Sequence, residues 1–305
     1  MTAGPTTRFA PAPTGYLHLG HLVNAIHVWG LARARGGSVV LRIEDHDQGR
    51  CRLEYEAALL DDLDWLGLKA DRGSTAELRS GSSPLRQSDN GARYKLALDS
   101  LRSAGDQLYG CDCSRTDLAR EGGDESDHET RYGGRCRDRG LEPGPGVGLR
   151  LVIEDSEESF IDLLRGPQRQ TPARQCGDPL LRDRLGHWTY QFCVVVDDLA
   201  QGINLVIRGE DLLESTGRQI LLARMLGRTI PPRFAHHPLI RHPDGAKLSK
   251  ASHDTSLREL RTAGATAAEL LGRAASLAGL IPEARPLSAD DFPSLFAEGL
   301  PFEDR

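Results

Sequence analysis

No apolar run in this chain of 305 residues approaches the roughly 18 to 20 that a membrane helix requires. The start, Met1 to Ala10, lacks the positively charged end and apolar stretch of a secretion signal, so a cytoplasmic location is expected. Lysine is scarce: of 38 basic residues only Lys69, Lys95, Lys247 and Lys250 are lysines, and two of those four lie within four residues of each other. With 44 acidic residues the formal charge is −6, which lends no general support to nucleic-acid binding and leaves only a local basic face for it. There is no internal repeat and no low-complexity tract. The glycine-rich fingerprints of the common nucleotide folds are also missing. No G-x-G-x-x-G follows the first strand and no G-x-x-x-x-G-K-[ST] occurs anywhere, which weighs against dehydrogenases and P-loop ATPases. What remains, 39% hydrophobic and 27% charged, is a globular composition that excludes disorder as the main state and allows two compact units.

The first fifty residues read as a βαβ unit. A short strand around Arg8 to Ala10 leads into Pro11-Ala12-Pro13-Thr14-Gly15, whose prolines bar an early helix. Leu22, Ile26 and Trp29 then mark a helical face that ends at Gly36-Gly37, and Val39 to Ile43 form the next strand. Helices are expected from about Glu54 to Leu66 and from about Gly91 to Ala104. Between about 108 and 179 glycine, aspartate and arginine are dense and apolar periodicity is weak, as in an inserted subdomain. Trp188 to Val196 reads as a strand, followed by a strand at Ile203 to Ile207 and a helix from about Leu212 to Leu226. After Lys250 the pattern is that of a small helical piece. The expected organisation is thus 1–107 and 180–250 as two halves of one α/β domain, 108–179 as the insert and 251–305 as the helical end.

Two clusters carry chemistry. His18 and His21, three apart at a helix entrance with Gly20 between them, stand where free N–H groups and the helix dipole favour an anion. Cys111, Cys113 and Cys136 crowd into the loop-rich insert, whereas Cys51, Cys176 and Cys193 are scattered and read as small buried apolar residues. Without a secretion signal the clustered thiols read as metal ligands, zinc first, and a fourth ligand is available from His128 or, less usually, the phenol of Tyr132.

His18-Leu19-Gly20-His21 and Lys247-Leu248-Ser249-Lys250-Ala251, about 230 residues apart, resemble the two signatures of class I aminoacyl-tRNA synthetases. Arg8 to Gly15, Arg42 to Asp45 and Val206 to Leu212 resemble the glutamyl branch of that family, and the resemblance covers roughly residues 7 to 280. It implies a Rossmann-like catalytic domain with a parallel sheet, a zinc-binding insert and a small C-terminal helical piece. It further implies that ATP with Mg²⁺ is held by His18, Gly20, His21, Lys247, Ser249 and Lys250, with His18, His21 and Lys250 acting on the phosphates. L-Glutamate is expected against Arg8, Phe9, Ala10, Pro11 and Ala12, with Glu44, Tyr190 and Arg208. The family commonly has Ser where this chain has Ala12, a departure that removes a hydroxyl from the glutamate site.

The Cys-x-Cys with a later Tyr-x-x-x-Cys resembles the zinc site of the short glutamyl-synthetase paralogues, and that resemblance favours Cys111, Cys113, Tyr132 and Cys136 as the ligands of one structural zinc. Only 55 residues follow Lys250, so no anticodon-binding domain is expected. The short paralogues activate glutamate without tRNA and attach it to queuosine at the wobble position of tRNA(Asp), so the anticodon loop would be the partner of a monomeric enzyme. A truncated paralogue charging another acceptor, or a non-catalytic tRNA-binding module, are the alternatives.

Overall fold

A computed structural model describes residues 4–105, 107–120, 131–240 and 255–297. Strand β1 (Thr6–Phe9), helix α1 (Leu19–Arg33) and strand β2 (Ser38–Leu41) form the opening unit, with β1 and β2 parallel and Arg8 opposite Val40. Helix α1 is buried nearly all round, from Leu22 and Val23 to Leu31 and Ala32, because it is covered on both sides. Helices α2 (Leu53–Trp65) and α3 (Gly91–Ser103) follow close to their expected ranges.

The segment 108–170 divides between two sheets. Strand β3 (Leu108–Cys111) pairs antiparallel with β4 (Gly148–Leu151). The hairpin of β5 (Glu158–Asp162) and β6 (Gly166–Gln170) instead joins the second α/β half. Conversely β7 (Leu180–Arg182) completes the β3–β4 sheet. Weak apolar periodicity ran across both pieces, so composition could not separate the hairpin from the insert.

The run from Trp188 to Val196, expected as a strand, is instead helical: α4 spans Tyr190–Ala200 and Thr189 is its extended N-terminal cap. Phe192 through Asp198 are all buried, so neither a two-residue nor a 3.6-residue alternation was there to be read. Tertiary burial overrode the strand preference of Val194 to Val196. Strand β8 (Leu205–Gly209) leads through a 3₁₀ stretch, Glu210–Ser215, into α5 (Thr216–Met225), so only the second part of the helix expected from about Leu212 is α-helical. Strand β9 (Arg233–His237) lies between β8 and β5, parallel to both.

The two parallel units abut at β1 and β8. Asn204 clamps them: its backbone N–H donates to Thr6 O at 3.0 Å and its Oδ1 accepts the Thr6 N–H at 2.7 Å. The carboxyl ends of β1, β2, β8 and β9 therefore open on one crevice, where ligands of open parallel sheets bind.

Helix α6 (Leu257–Thr262) packs on α2, while helix α7 (Ala267–Leu277) and a 3₁₀ segment, Ala289–Phe296, close the other face of α1. The approach is tight. A Cβ on Gly272 of α7 would stand 1.7 Å from the backbone oxygen of Arg285, and one on Gly30 of α1 would meet the Phe296 ring at 2.3 Å. Gly272→Ala forces backbone apart rather than a side chain, so it is expected to destabilise the fold by about 1–3 kcal/mol. Urea denaturation checks this, and an unchanged midpoint would contradict the packing described.

Candidate active site

Helix α1 begins with a cap made from its own histidines. The Gly20 N–H donates to His18 Nδ1 at 3.1 Å, and the His18 N–H donates to His21 Nδ1 at 3.1 Å. The ring centroids are 4.0 Å apart. Because both Nδ1 atoms accept, each neutral ring carries its proton on Nε2, the orientation that suits donation to a phosphate oxygen. Gly20 is required here: a Cβ would lie 2.9 Å from His18 Cε1, so any side chain displaces the capping ring.

Phe9, Ala10, Pro11 and Ala12 run from the end of β1 along the wall of a cavity of about 470 Å³ that His18, Gly20 and His21 also line. Arg8, Glu44, Tyr190 and Arg208 line the same cavity. Every described residue expected at the ATP or glutamate site thus meets in one place. Lys247, Ser249 and Lys250 lie outside the described residues.

The polar side chains are held by partners that sequence reasoning missed. Arg8, 4% exposed, donates from Nε to both oxygens of Asp198, at 3.2 and 3.3 Å, and from Nη1 to Ile207 O at 3.3 Å. Its Nη2 has no partner among the described residues. Arg42 donates from Nη1 to Asp198 at 2.7 Å and from Nη2 to Glu44 Oε1 at 2.8 Å. Burial works to lower the Arg42 pKa, but the Asp198 and Glu44 carboxylates outweigh it and raise it. For Asp198, burial is overcome by Arg8 and Arg42, which hold its carboxyl below the usual range. Glu44 thus keeps one oxygen, Oε2, for the cavity.

Tyr190 is the first residue of α4, and burial, followed by the Glu44 carboxylate, pushes its phenol up. Arg208 is fixed at all three nitrogens: Nε donates to His236 Nε2 at 2.9 Å, Nη1 to Gln219 Oε1 at 2.7 Å and Nη2 to Thr216 Oγ1 at 2.9 Å. The one available signal for such partners was a charged or amide residue in an otherwise apolar strand or helix, as with Arg42, Asp198 and His236.

In the insert, the sulfurs of Cys111, Cys113 and Cys136 lie within 4.8 Å of one another, and Cys113 and Cys136 are 3.5 Å apart. Sulfurs bound at about 2.3 Å around one tetrahedral ion would stand about 3.8 Å apart, so the spacing fits a metal. Tyr132 is buried beside them and its Oη accepts the Cys136 N–H at 2.8 Å. Arg139 donates to Cys136 Sγ at 3.2 Å, a contact that favours the thiolate. His128, the other candidate ligand, lies outside the described residues. The local core consists of little beyond Cys111, Tyr132 and Cys136, and such a small core needs a staple.

The parallel α/β core with its histidine-capped helix defines a class I synthetase catalytic domain. The family described as tRNA synthetases class I (E and Q), catalytic domain, matches residues 6–284, and the chain belongs to that family. Its similarity is more particular than that. It is 39% identical to the glutamyl-Q tRNA(Asp) synthetase of Symbiobacterium thermophilum, over 95% of this chain and 91% of the relative. It is also 39% identical to the glutamyl-Q tRNA(Asp) synthetase of Nitratidesulfovibrio vulgaris, over 93% of this chain and 89% of the relative. Among solved structures it resembles a glutamate tRNA ligase from Elizabethkingia meningosepticum in complex with its amino acid, with a TM-score of 0.73 and 26% identity. The match covers 95% of this chain but only 64% of that ligase.

Beneath the cavity His27 stacks on His237, with ring centroids 4.6 Å apart, and burial lowers the His27 pKa from 6.5 to about 3. An unfolded histidine takes a proton near pH 6.5, which folded His27 refuses until about pH 3, so the unfolded chain binds more protons between those values. Stability is then fully present above pH 6.5 and falls on acidification, by about 1.4 kcal/mol per pH unit for this group. His236 and His237, also lowered chiefly by burial, act with the same sign. Between pH 7 and 5 the folded protein is expected to lose about 2 kcal/mol through His27 alone, and His27→Gln to lose correspondingly less. Denaturation midpoints across that range check it; equal slopes in both proteins would contradict the neutral, buried state.

Proposed function

We propose that this protein activates L-glutamate with ATP to glutamyl-adenylate and transfers the glutamyl group to the queuosine base at the wobble position of tRNA(Asp). The observation that carries the reading is the single cavity that joins a carboxylate-binding pair of arginines to the histidine-capped start of α1. The near-full-length likeness to glutamyl-Q tRNA(Asp) synthetases supports the acceptor.

In the first step a glutamate α-carboxylate oxygen attacks the α-phosphorus of ATP and pyrophosphate leaves with the electron pair of the broken P–O bond. Catalysis of such an in-line transfer is mainly positioning and stabilisation of phosphate charge. The Nε2–H groups of His18 and His21 face that charge, and Lys250, from the second signature, holds the departing β and γ phosphates together with Lys247 and Ser249. Mg²⁺, bound with ATP, screens the phosphates. Arg8 Nη2 and the Arg208 guanidinium receive the substrate side-chain carboxylate, and Glu44 Oε2 takes its ammonium. Ala12, in place of a hydroxyl, leaves that carboxylate to the two arginines. In the second step a hydroxyl of the queuosine ring attacks the acyl carbon, AMP leaves, and the hydroxyl proton passes to solvent or phosphate. The anticodon loop of tRNA(Asp) is then the macromolecular substrate of a cytoplasmic monomer made of two catalytic halves, an insert and a helical end. Among the described residues no helix is long and apolar enough to cross a membrane.

The insert holds one structural zinc through Cys111, Cys113, Cys136 and Tyr132, and that ion supplies the cohesion that the sparse local core does not. Cys111→Ser is expected to lower the zinc content of the purified protein and to loosen the insert to proteolysis. Full zinc occupancy in the variant would overturn the ligand set.

ATP–pyrophosphate exchange across the twenty amino acids, without tRNA, is expected to respond to glutamate alone. Arg8→Gln should raise the KM for glutamate about 10- to 100-fold, the worth of one charged hydrogen bond, with the KM for ATP little changed. Exchange with no amino acid would leave the tRNA-binding module as the reading. Glutamate transfer to queuosine-containing tRNA(Asp) but not to the queuosine-lacking form is the expected acceptor result, and equal transfer to both would refute it.

A further inference from the structure

Asp162, His236 and Arg208 lie in line across three neighbouring strands, β5, β9 and β8, where Asp162 is in register with Phe234 and Arg208 is in register with His236. Asp162 is 1% exposed and His236 0%. The Asp162 carboxylate accepts the backbone N–H groups of Leu164 at 3.0 Å, Arg165 at 2.9 Å and His236 at 3.2 Å, and it meets His236 Nδ1 at 2.6 Å. Three amide donors keep it ionised, so it accepts from Nδ1–H and the imidazole proton is held there. His236 Nε2 is then a lone pair, and it accepts the Arg208 Nε–H at 2.9 Å.

Such a chain is costly to bury, and an apolar set of similar volume would hold three strands together as well. What an apolar set cannot do is orient a guanidinium. With Nε, Nη1 and Nη2 each directed to one acceptor, Arg208 retains a second hydrogen on each terminal nitrogen, and its plane has a single setting. Arg208 lines the cavity, whereas His236 and Asp162 do not.

We propose that Asp162 and His236 are positioning residues for amino-acid recognition: Asp162 locks His236 in its Nδ1–H form, and His236 aims the Arg208 fork at the substrate carboxylate. The proposal rests on the glutamate-activating reading and adds to it the device that sets one of its two arginines.

The polarity of the chain makes the test sharp. A Gln side chain at 236 presents an amide nitrogen to Asp162 and an amide oxygen to Arg208, so it keeps both bonds, whereas Ala keeps neither. Asp162→Asn places an N–H donor against Nδ1, drives the proton to Nε2 and sets a donor against the Arg208 donor. In ATP–pyrophosphate exchange, His236→Ala and Asp162→Asn are each expected to raise the KM for glutamate about tenfold or more, with kcat and the KM for ATP within about threefold of the unmodified protein. His236→Gln is expected to return the glutamate KM to within about threefold. A KM for glutamate that stays put in His236→Ala, or that rises equally in the Gln and Ala variants, would overturn the proposal. So would a parallel loss of kcat and ATP affinity, the mark of a merely structural role.

A second measurement does not depend on activity. In ¹⁵N-resolved imidazole spectra, the signals lost in His236→Gln identify His236, and they should show a neutral ring protonated at Nδ1, shifting to Nε2 in Asp162→Asn. A ring protonated at Nε2 in the unmodified protein would refute the relay even if glutamate is activated. The expected spectrum without any glutamate exchange would leave the relay standing and refute the functional reading instead.

Discussion

Asp198 is the charge on which the wall of the cavity formed by Arg8 and Glu44, the one proposed for the amino acid, depends. It lies on α4 and accepts from Arg8 of β1 and from Arg42, just past β2. Arg42 then reaches Glu44. Two guanidinium groups and two carboxylates form one buried, neutral set that ties the first parallel unit to a helix about 150 residues further on. Buried ion sets of this kind contribute little net stability compared with apolar packing, yet removing one member leaves an uncompensated charge. Their value here is directional. Arg8 is held by Nε and Nη1, and Glu44 by Oε1, so each is left with a polar atom for the cavity and little freedom to turn it elsewhere.

The wall proposed for ATP is built on a different constraint, the start of α1. Backbone N–H groups that a helix cannot satisfy internally are taken by the Nδ1 atoms of His18 and His21, which settles ring orientation and proton position together. That arrangement lasts only while α1 itself is immobile. The close approach of Gly30 to Phe296, the stacking of His27 on His237, which itself lines the cavity, and the T-shaped contact of His27 with Phe296 brace the helix. Gly30, His27 and Phe296, which do not line the cavity, thereby help determine where the two rings stand. The insert follows a third logic: Leu149, Leu151 and Leu181 of its sheet are buried in the same apolar core as α3 and α4, whereas three thiols and a phenol make up the small cluster at its other end.

Much of the cavity was legible in the chain, for a reason that lies in parallel-sheet geometry. Arg8, Glu44 and Arg208 sit at or just beyond strand ends, and His18 and His21 at a helix start, the two places where an open parallel sheet presents groups to a ligand. The resemblance to the glutamyl branch singled these residues out, and parallel-sheet geometry explains why they converge. The strand read at Trp188 to Val196 failed because a segment buried on every side has no period to read. The partners of the site residues were hidden for another reason. Asp198 is 190 positions from Arg8, and Asp162 is 74 from His236. A charge at the end of an apolar run marks Asp198 as buried, but nothing local names the partner of Asp198 or of Asp162.

The class of chemistry was visible in the chain because His18-Leu19-Gly20-His21 and Lys247-Leu248-Ser249-Lys250 resemble the two class I synthetase signatures, and because three cysteines within one loop-rich stretch are a local pattern that points to a metal. Only the tertiary structure decided how those groups are aimed. Hydrogen bonds are directional and reach about 3 Å, so the proton position on His236, the setting of Arg208 and the oxygen that Glu44 keeps for the cavity all depend on which distant strands and helices fold against one another.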